Sequence, residues 1–276
     1  METGVYMFPT DYSIPPDDLA REVESRGFGS LWFPEHTHIP AERVSQWPGG
    51  ADLPREYWHT YDPFIAITAA AGATKKLLLG TGICLVIERD PIVTAKSVAS
   101  VDRLSNGRFI FGIGGGWNAE EMANHGTNFR TRFRHLRENI LAMKEIWTQE
   151  EAEFHGDFVN FDKIWSYPKP LQRPHPPIIM GGDGPTTFDR VVEFCDGWMP
   201  TGRGVEPGPL GEKIAMLRRQ GDEAGRDYLP VSIFGTSSDP ADMERLEQAG
   251  VDRVLFTLPS EDREKTLPLL DKLAES

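Results

Sequence analysis

Glu35 and His36 stand side by side at the end of an apolar run, "SLWFPEH". A histidine there can give or take a proton near neutral pH, and a neighbouring carboxylate is a second acid–base candidate, so Glu35 and His36 are the candidate catalytic pair. Glu35-x-x-His38 also has a spacing that a metal site can use, but no third ligand accompanies it and no metal is expected. Three glycine clusters are the other stretches able to do chemistry. In "GGDGPTT", Gly181 and Gly182 would let the backbone approach a ligand closely, while Asp183, Gly184 and Pro185 set up a helix start. Unpaired amides at that start, with the hydroxyls of Thr186 and Thr187, suit one phosphate group, and a tight turn capped by glycine fits the same residues equally. In "FGIGGGWN", Gly114, Gly115 and Gly116 run on from a strand into Trp117 and Asn118. Glycine weakens a strand, so the run asks either for a flat ligand against the backbone or for a bulge at a barrel corner. "GTGI", with Thr81, Gly82 and Ile83, raises the same question. Trp32, Trp117 and Trp198 would wall an aromatic-ring pocket or pack a core. Arg130, Arg132, Arg134 and Arg137 read as a solvated face that could still meet an anionic tail.

These residues need elements to hold them. Short β-rich apolar runs alternate with helical patterns from end to end. Strands are expected at Val5–Phe8, Ser30–Glu35, "KLLLGTGICLV", "RFIFGIG", "IIMGG", "GWMPTG", "VSIFGT" and "VDRVLFTL", each followed by a helix. On the helix near Arg132 to Trp147, Leu136, Ile140, Met143 and Trp147 share one face. Eight strand–helix units over this length close an α/β (β/α)8 TIM barrel, expected as a single domain over residues 1–276, with insertions after strands two and four. A doubly wound open sheet is the competitor, but its glycine-rich turn follows the first strand, where this chain has "PTDYSIPP". Residues 37–61 form a loop insertion, and residues 151–177, rich in aromatics and prolines, read as an irregular insertion or lid. Every candidate cluster follows a strand, and in a barrel those strand ends meet at one mouth.

The 276 residues are 39% hydrophobic and 26% charged, with a formal net charge of −13. Such a surface argues against nucleic-acid or acidic-membrane partners, though not against a small anion held locally. Two cysteines, Cys84 and Cys195, make no disulfide framework and read as buried thiols in a reducing compartment. The first residues lack a signal-peptide pattern and no apolar run approaches a membrane span, so a cytoplasmic location is expected.

Taken together and in order, "SLWFPEHTHIP", "LLLGTGI", "VTAKSVASVDRLSNGRFIFGIGGGW", "IIMGG" and "CDGWMPTG" resemble the bacterial luciferase-like monooxygenase family, and most of all its branch using the deazaflavin coenzyme F420. The resemblance implies an oxidoreductase moving a hydride between F420 and a small organic substrate, with an FMN-dependent monooxygenase as the alternative. It implies a ring lying across the barrel mouth against a non-prolyl cis peptide, which here matches Gly82–Ile83. It places the cofactor phosphate at Gly181, Gly182 and Asp183 to Thr187, His36 beside the ring, and Trp117 and Asn118 toward the substrate. Family members are commonly dimers, so a homodimer is expected. The sugar-phosphate-oxidising members carry a glutamate where this chain has Trp117, which argues against that substrate class. Glu120 and Glu121 match a family acidic pair.

Overall fold

The chain is seen in a computed structural model that describes residues 1–50, 52–202 and 206–275. Its first half runs β1 (Glu2–Tyr6), α1 (Pro16–Ser25), β2 (Ser30–Phe33), α2 (Glu56–His59), α3 (Pro63–Ala73), β3 (Leu78–Thr81), a 3-10 turn (Val86–Glu88), α4 (Pro91–Leu104) and β4 (Phe109–Ile113). Then come α5 (Ala119–Asn124), α6 (Arg132–Thr148), β5 (Ala152–His155), β6 (Asn160–Ile164), β7 (Ile178–Gly181), α7 (Thr187–Phe194) and β8 (Gly197–Met199). The chain ends with α8 (Pro207–Glu223), β9 (Ser232–Phe234), α9 (Pro240–Gln248), β10 (Arg253–Thr257) and α10 (Arg263–Ala274).

Local chemistry starts several of these helices in one way. Asp62, Asp90 and Asp239 each precede a proline, and each carboxylate accepts from first-turn amides: Asp62 from Phe64 at 2.9 Å, Asp90 from Val93 at 2.9 Å, Asp239 from Ala241 at 2.9 Å. The aspartate satisfies amides that lack a partner in the helix, and the proline occupies a position whose missing N–H costs nothing.

All of these strands but β5 and β6 form one parallel sheet in the order β8-β7-β4-β3-β2-β1-β10-β9. Bridges from Trp198 to Val231 and from Thr201 to Phe234 join the two outer strands, so the sheet closes as an eight-stranded barrel with the helices outside. Inside, Tyr6, Trp32, Ile110, Ile179, Met199 and Leu255 pack against one another. Trp32, weighed above as a pocket wall, is instead barrel filling. Its indole N–H donates to Ser30 Oγ at 3.0 Å, and a Cβ added to Gly80 on the next strand would lie 2.3 Å from its ring.

The structure revises one stretch. Residues 151–177, read as irregular, contain the antiparallel hairpin β5–β6. Its alternation is masked because the strands are short and largely exposed, with little apolar patterning. The segment that follows is tied to the barrel by Asp102, fully buried, which accepts from the amides of Leu171 at 2.6 Å and Gln172 at 2.9 Å and from the Gln172 side chain at 2.6 Å. No helix among the described residues is long and apolar enough to cross a membrane.

Candidate active site

A cleft of about 420 Å³ opens at the carboxyl ends of the strands, within the range of small-molecule sites. Its lining includes Gly82 and Ile83, Gly114 to Gly116, and Gly181 and Gly182. The lining also includes aromatic rings, Trp47 and Tyr57 of the 37–61 insertion with Trp117, Phe133 and Phe234. Glycines from three separate strands thus meet at one place, as their positions after apolar runs implied.

The Gly82–Ile83 peptide bond is cis and non-prolyl. Strand β3 ends at Thr81, one residue before it, and pairing resumes at Cys84, whose amide donates to Gly112 O at 2.7 Å. The Ile83 side chain then explains two of the glycines. A Cβ on Gly114 would lie 2.2 Å from Ile83 Cδ1, and one on Gly181 would lie 2.8 Å from Ile83 Cγ2. Gly115 is similarly crowded by Phe133, at 2.6 Å. Gly182 differs: its φ is 102°, and a Cβ added there would meet nothing within 4 Å, so conformation and open space, rather than crowding, account for it.

His36 lies just past β2, 9% exposed, with its ring 5.1 Å from that of Tyr57 and 5.9 Å from that of Trp117. Nδ1 meets Glu121 Oε2 at 2.7 Å, and Glu121, fully buried, also accepts from the Thr37 amide at 3.2 Å. A carboxylate only accepts, so Nδ1 is the donor in this contact and Nε2 is the ring nitrogen left over. Glu121 is positioned by α5, whose N-cap is Asn118: its Oδ1 accepts from the Glu121 amide at 3.3 Å. Asn118 is therefore buried behind the cleft rather than lining it. Glu120 caps the insertion instead, accepting from the Val44 amide at 2.9 Å.

Other sequence-read residues are engaged elsewhere. Glu35 is buried and accepts from the Leu85 amide at 2.7 Å and from the Arg89 guanidinium, so its carboxylate is committed to holding the turn after β3. Thr81 is buried with its hydroxyl donating to Gly112 O at 2.7 Å. In the "GGDGPTT" turn, the Gly184 amide donates to Thr187 Oγ1 at 2.9 Å and the Thr187 amide to Gly184 O at 3.0 Å, as a capped tight turn does. Asp183 pairs with Lys213 of α8 at 2.5 Å, and Thr186 is the N-cap residue of α7 without a side-chain cap bond. Trp198 is fully buried against Phe188, and its indole N–H donates to Gly182 O at 2.7 Å, bracing the cleft wall from behind. Arg203 and Gly204, which follow the "GWMPTG" run, lie outside the described residues.

Sequence reasoning expected the 37–61 loop to enclose the substrate without singling out Trp47 or Tyr57, missed Met199 and Phe234 of the lining, and did not connect Glu121 to His36. Only the acidic pair after a strand-end glycine run hinted at the latter. It also missed Glu88. That side chain is buried in the 3-10 turn with no donor to either oxygen, and burial, then the carboxylates of Glu121 and Glu35, push its carboxyl up to about 9. Among the described residues no group of three or more His, Cys, Asp or Glu is placed to hold a metal. A wider basin of about 730 Å³ lies at the opposite end of the barrel, but its charges are paired with one another, Arg253 with Glu2 at 2.6 Å and Arg218 with Asp252 at 3.4 Å. The carboxyl-end cleft, with its glycine and aromatic lining and with His36 packed against Tyr57 and Trp117 of that lining, is the candidate site.

Residues 17–267 match the model of the luciferase-like monooxygenase family, and the chain belongs to that family, whose members are oxidoreductases and monooxygenases. It is 38% identical over 99% of its length to the uncharacterized protein Rv0953c of Mycobacterium tuberculosis, covering 98% of that protein. An F420-dependent hydroxymycolic acid dehydrogenase of Mycobacterium tuberculosis is 26% identical over 75% of this chain and 54% of its own. An FMNH2-dependent dimethylsulfone monooxygenase of Pseudomonas putida is 36% identical over 50% of this chain and 39% of its own. The fold is shared with the monooxygenase RslO1 of Streptomyces bottropensis, TM-score 0.80 at 18% identity over 100% of this chain and 98% of that one. It is shared equally with an F420-dependent secondary alcohol dehydrogenase bound to an F420–acetone adduct, TM-score 0.78 at 18% identity with the same coverage.

Proposed function

We propose that the protein is an F420-dependent oxidoreductase that moves a hydride between the deazaflavin and a small organic substrate. The observation that carries this reading is the cleft itself: Gly82–Ile83, Gly114–Gly116 and Gly181–Gly182 line it together with aromatic rings, and His36 packs against two of those rings, Tyr57 and Trp117. A cleft of about 420 Å³ with this lining suits a planar ring, and Gly182, open and in a positive-φ conformation, leaves room beside the turn into α7 for the phosphate. When bound, the deazaflavin supplies the hydride chemistry.

The chain's own residues do the rest. Ile83, Gly114 and Gly181 set the height of the ring's seat. Trp47, Tyr57 and Trp117 exclude water from the reacting face. Glu121 fixes the His36 ring through Nδ1, and Nε2 gives a proton to the substrate or takes one from it. Glu35, committed to Leu85 and Arg89, holds the turn behind the site and takes no part in proton transfer. A homodimer of the 30.9 kDa chain, working on a small molecule in the cytoplasm as a single-domain enzyme, completes the reading.

The FMN-dependent monooxygenase remains the second reading, favoured by the 36% identity to the Pseudomonas putida enzyme. Fluorescence titration with F420 decides first: a dissociation constant above about 100 µM, roughly 5 kcal/mol of binding, overturns the deazaflavin assignment. A yellow preparation that retains FMN and consumes oxygen would replace it with the second. His36→Ala is expected to keep cofactor binding and to lose turnover, and a fully active variant removes His36 from the chemistry.

A further inference from the structure

The groups behind His36 line up toward the surface, hydrogen-bonded at both ends and with Glu88 unbonded between them. His36 Nδ1 meets Glu121 Oε2 at 2.7 Å. Glu121 stands against Glu88, within reach of a shared hydrogen bond, and Glu88 Oε2 lies 3.9 Å from His125 Nε2. His125, at the end of α5, is exposed and meets Thr37 Oγ1 at 2.7 Å, and that hydroxyl meets His38 Nδ1 at 2.9 Å. Two buried carboxyls that face each other, one of them with no donor to either oxygen, are compatible only if one carries a proton.

We propose that Glu88 is a positioning residue that stores a proton behind His36 and connects the cleft, through Glu121 and His125, with solvent. The inference rests on the reading of His36 as the proton-handling group. The transfer balances. A proton taken up at His36 Nε2 releases the one at Nδ1 to Glu121; Glu121 hands it to Glu88, whose own proton passes to His125 Nε2 when that ring closes the 3.9 Å between them. One proton enters from the cleft, one leaves at the surface, and no charge accumulates between. The reverse sequence delivers a proton to the substrate.

The surroundings suit this. Glu88 is faced by Glu121 and His125 of α5, by Glu35 after β2, and by Arg89 of its own segment. The helix α6 packed on the same turn contributes an uncharged group, the Asn139 amide, which donates to Val86 O at 2.7 Å. Glu35 is already held by Arg89, and Glu88 has no donor to either oxygen, so Glu88 is the carboxyl left to carry the proton. Burial, then the charge of His38, lowers the pKa of His125, which keeps it neutral and ready to accept.

Solution NMR of the histidine-labelled protein, with no cofactor added, tests the proposal from about pH 6 to about pH 10. The resonances of His36 and His125 are expected to share one alkaline step as Glu88 ionises. That step should be absent from Glu88→Gln, in which fast exchange of the His36 Nδ1 proton with solvent should also be lost. A carboxyl that is only structural would leave that exchange unchanged in the isosteric amide. A wild-type protein with no shared step, a step that survives in Glu88→Gln, or unchanged proton exchange overturns the relay. A Glu88→Gln chain that fails to fold also counts against it, because the amide reproduces a protonated carboxyl. Because no cofactor is used, the outcome does not depend on which ring the cleft binds. An active His36→Ala enzyme would remove the function reading while leaving this titration readable.

Discussion

Glu88 turns a buried carboxyl into a measurable dependence of stability on pH. Its folded-state pKa of about 9 lies above the ordinary 4.5, so between those values the folded chain holds a proton that the unfolded chain has lost. Stability contributed by the protonated form is complete below about pH 4.5 and is lost as pH rises toward 9. Glu88→Gln lacks this slope. Denaturant unfolding at pH 5 to 9 should show the variant gaining on the wild type by at most about 1.4 kcal/mol per pH unit, and parallel curves would refute the assignment. The glycines separate into two kinds at the same scale. Gly80→Ala drives a methyl into Trp32, at a cost of about 1–3 kcal/mol that a smaller residue at position 32 should relieve in a double-mutant cycle. Gly182→Ala meets nothing, so its cost arises from φ 102° and no partner substitution should rescue it. Equal rescue of both variants would show that the distinction is wrong.

Among the elements, the Asp–Pro starts and the Asp102 anchor make separable predictions. Asp90→Ala removes the cap of α4 and should cost about 1 kcal/mol of global stability by denaturant unfolding. Asp102→Ala strips two backbone amides and one side-chain amide of their acceptor, all in the segment after the β5–β6 hairpin. Limited proteolysis should then cut within residues 151–177 well before the barrel yields, and cleavage spread evenly over the chain would contradict a local anchor. Helix punctuation of this kind is short-range chemistry and was legible residue by residue. The hairpin was not, because two exposed strands of four and five residues carry too little apolar alternation to stand out.

On the scale of the whole molecule, a ligand bound to the folded barrel alone must raise its stability by mass action. F420 at a hundredfold excess over its dissociation constant should add about 2.7 kcal/mol, with FMN giving the smaller shift if the deazaflavin reading is right. The reverse order would favour the monooxygenase reading. What the sequence by itself determined was the alternation of eight strand–helix units, and with it the single mouth at which the glycine clusters, His36 and Trp117 had to gather. Periodicity and capping are local, and a parallel barrel admits few ways to connect them. Tertiary structure alone decided which of those residues face the cleft and which support it. Glu35 and His36 are neighbours in the chain, yet one carboxylate is consumed by Leu85 and Arg89, while the imidazole is oriented by Glu121, 85 residues away. The partner of a buried charge is chosen by packing between distant segments, and no local pattern encodes that choice.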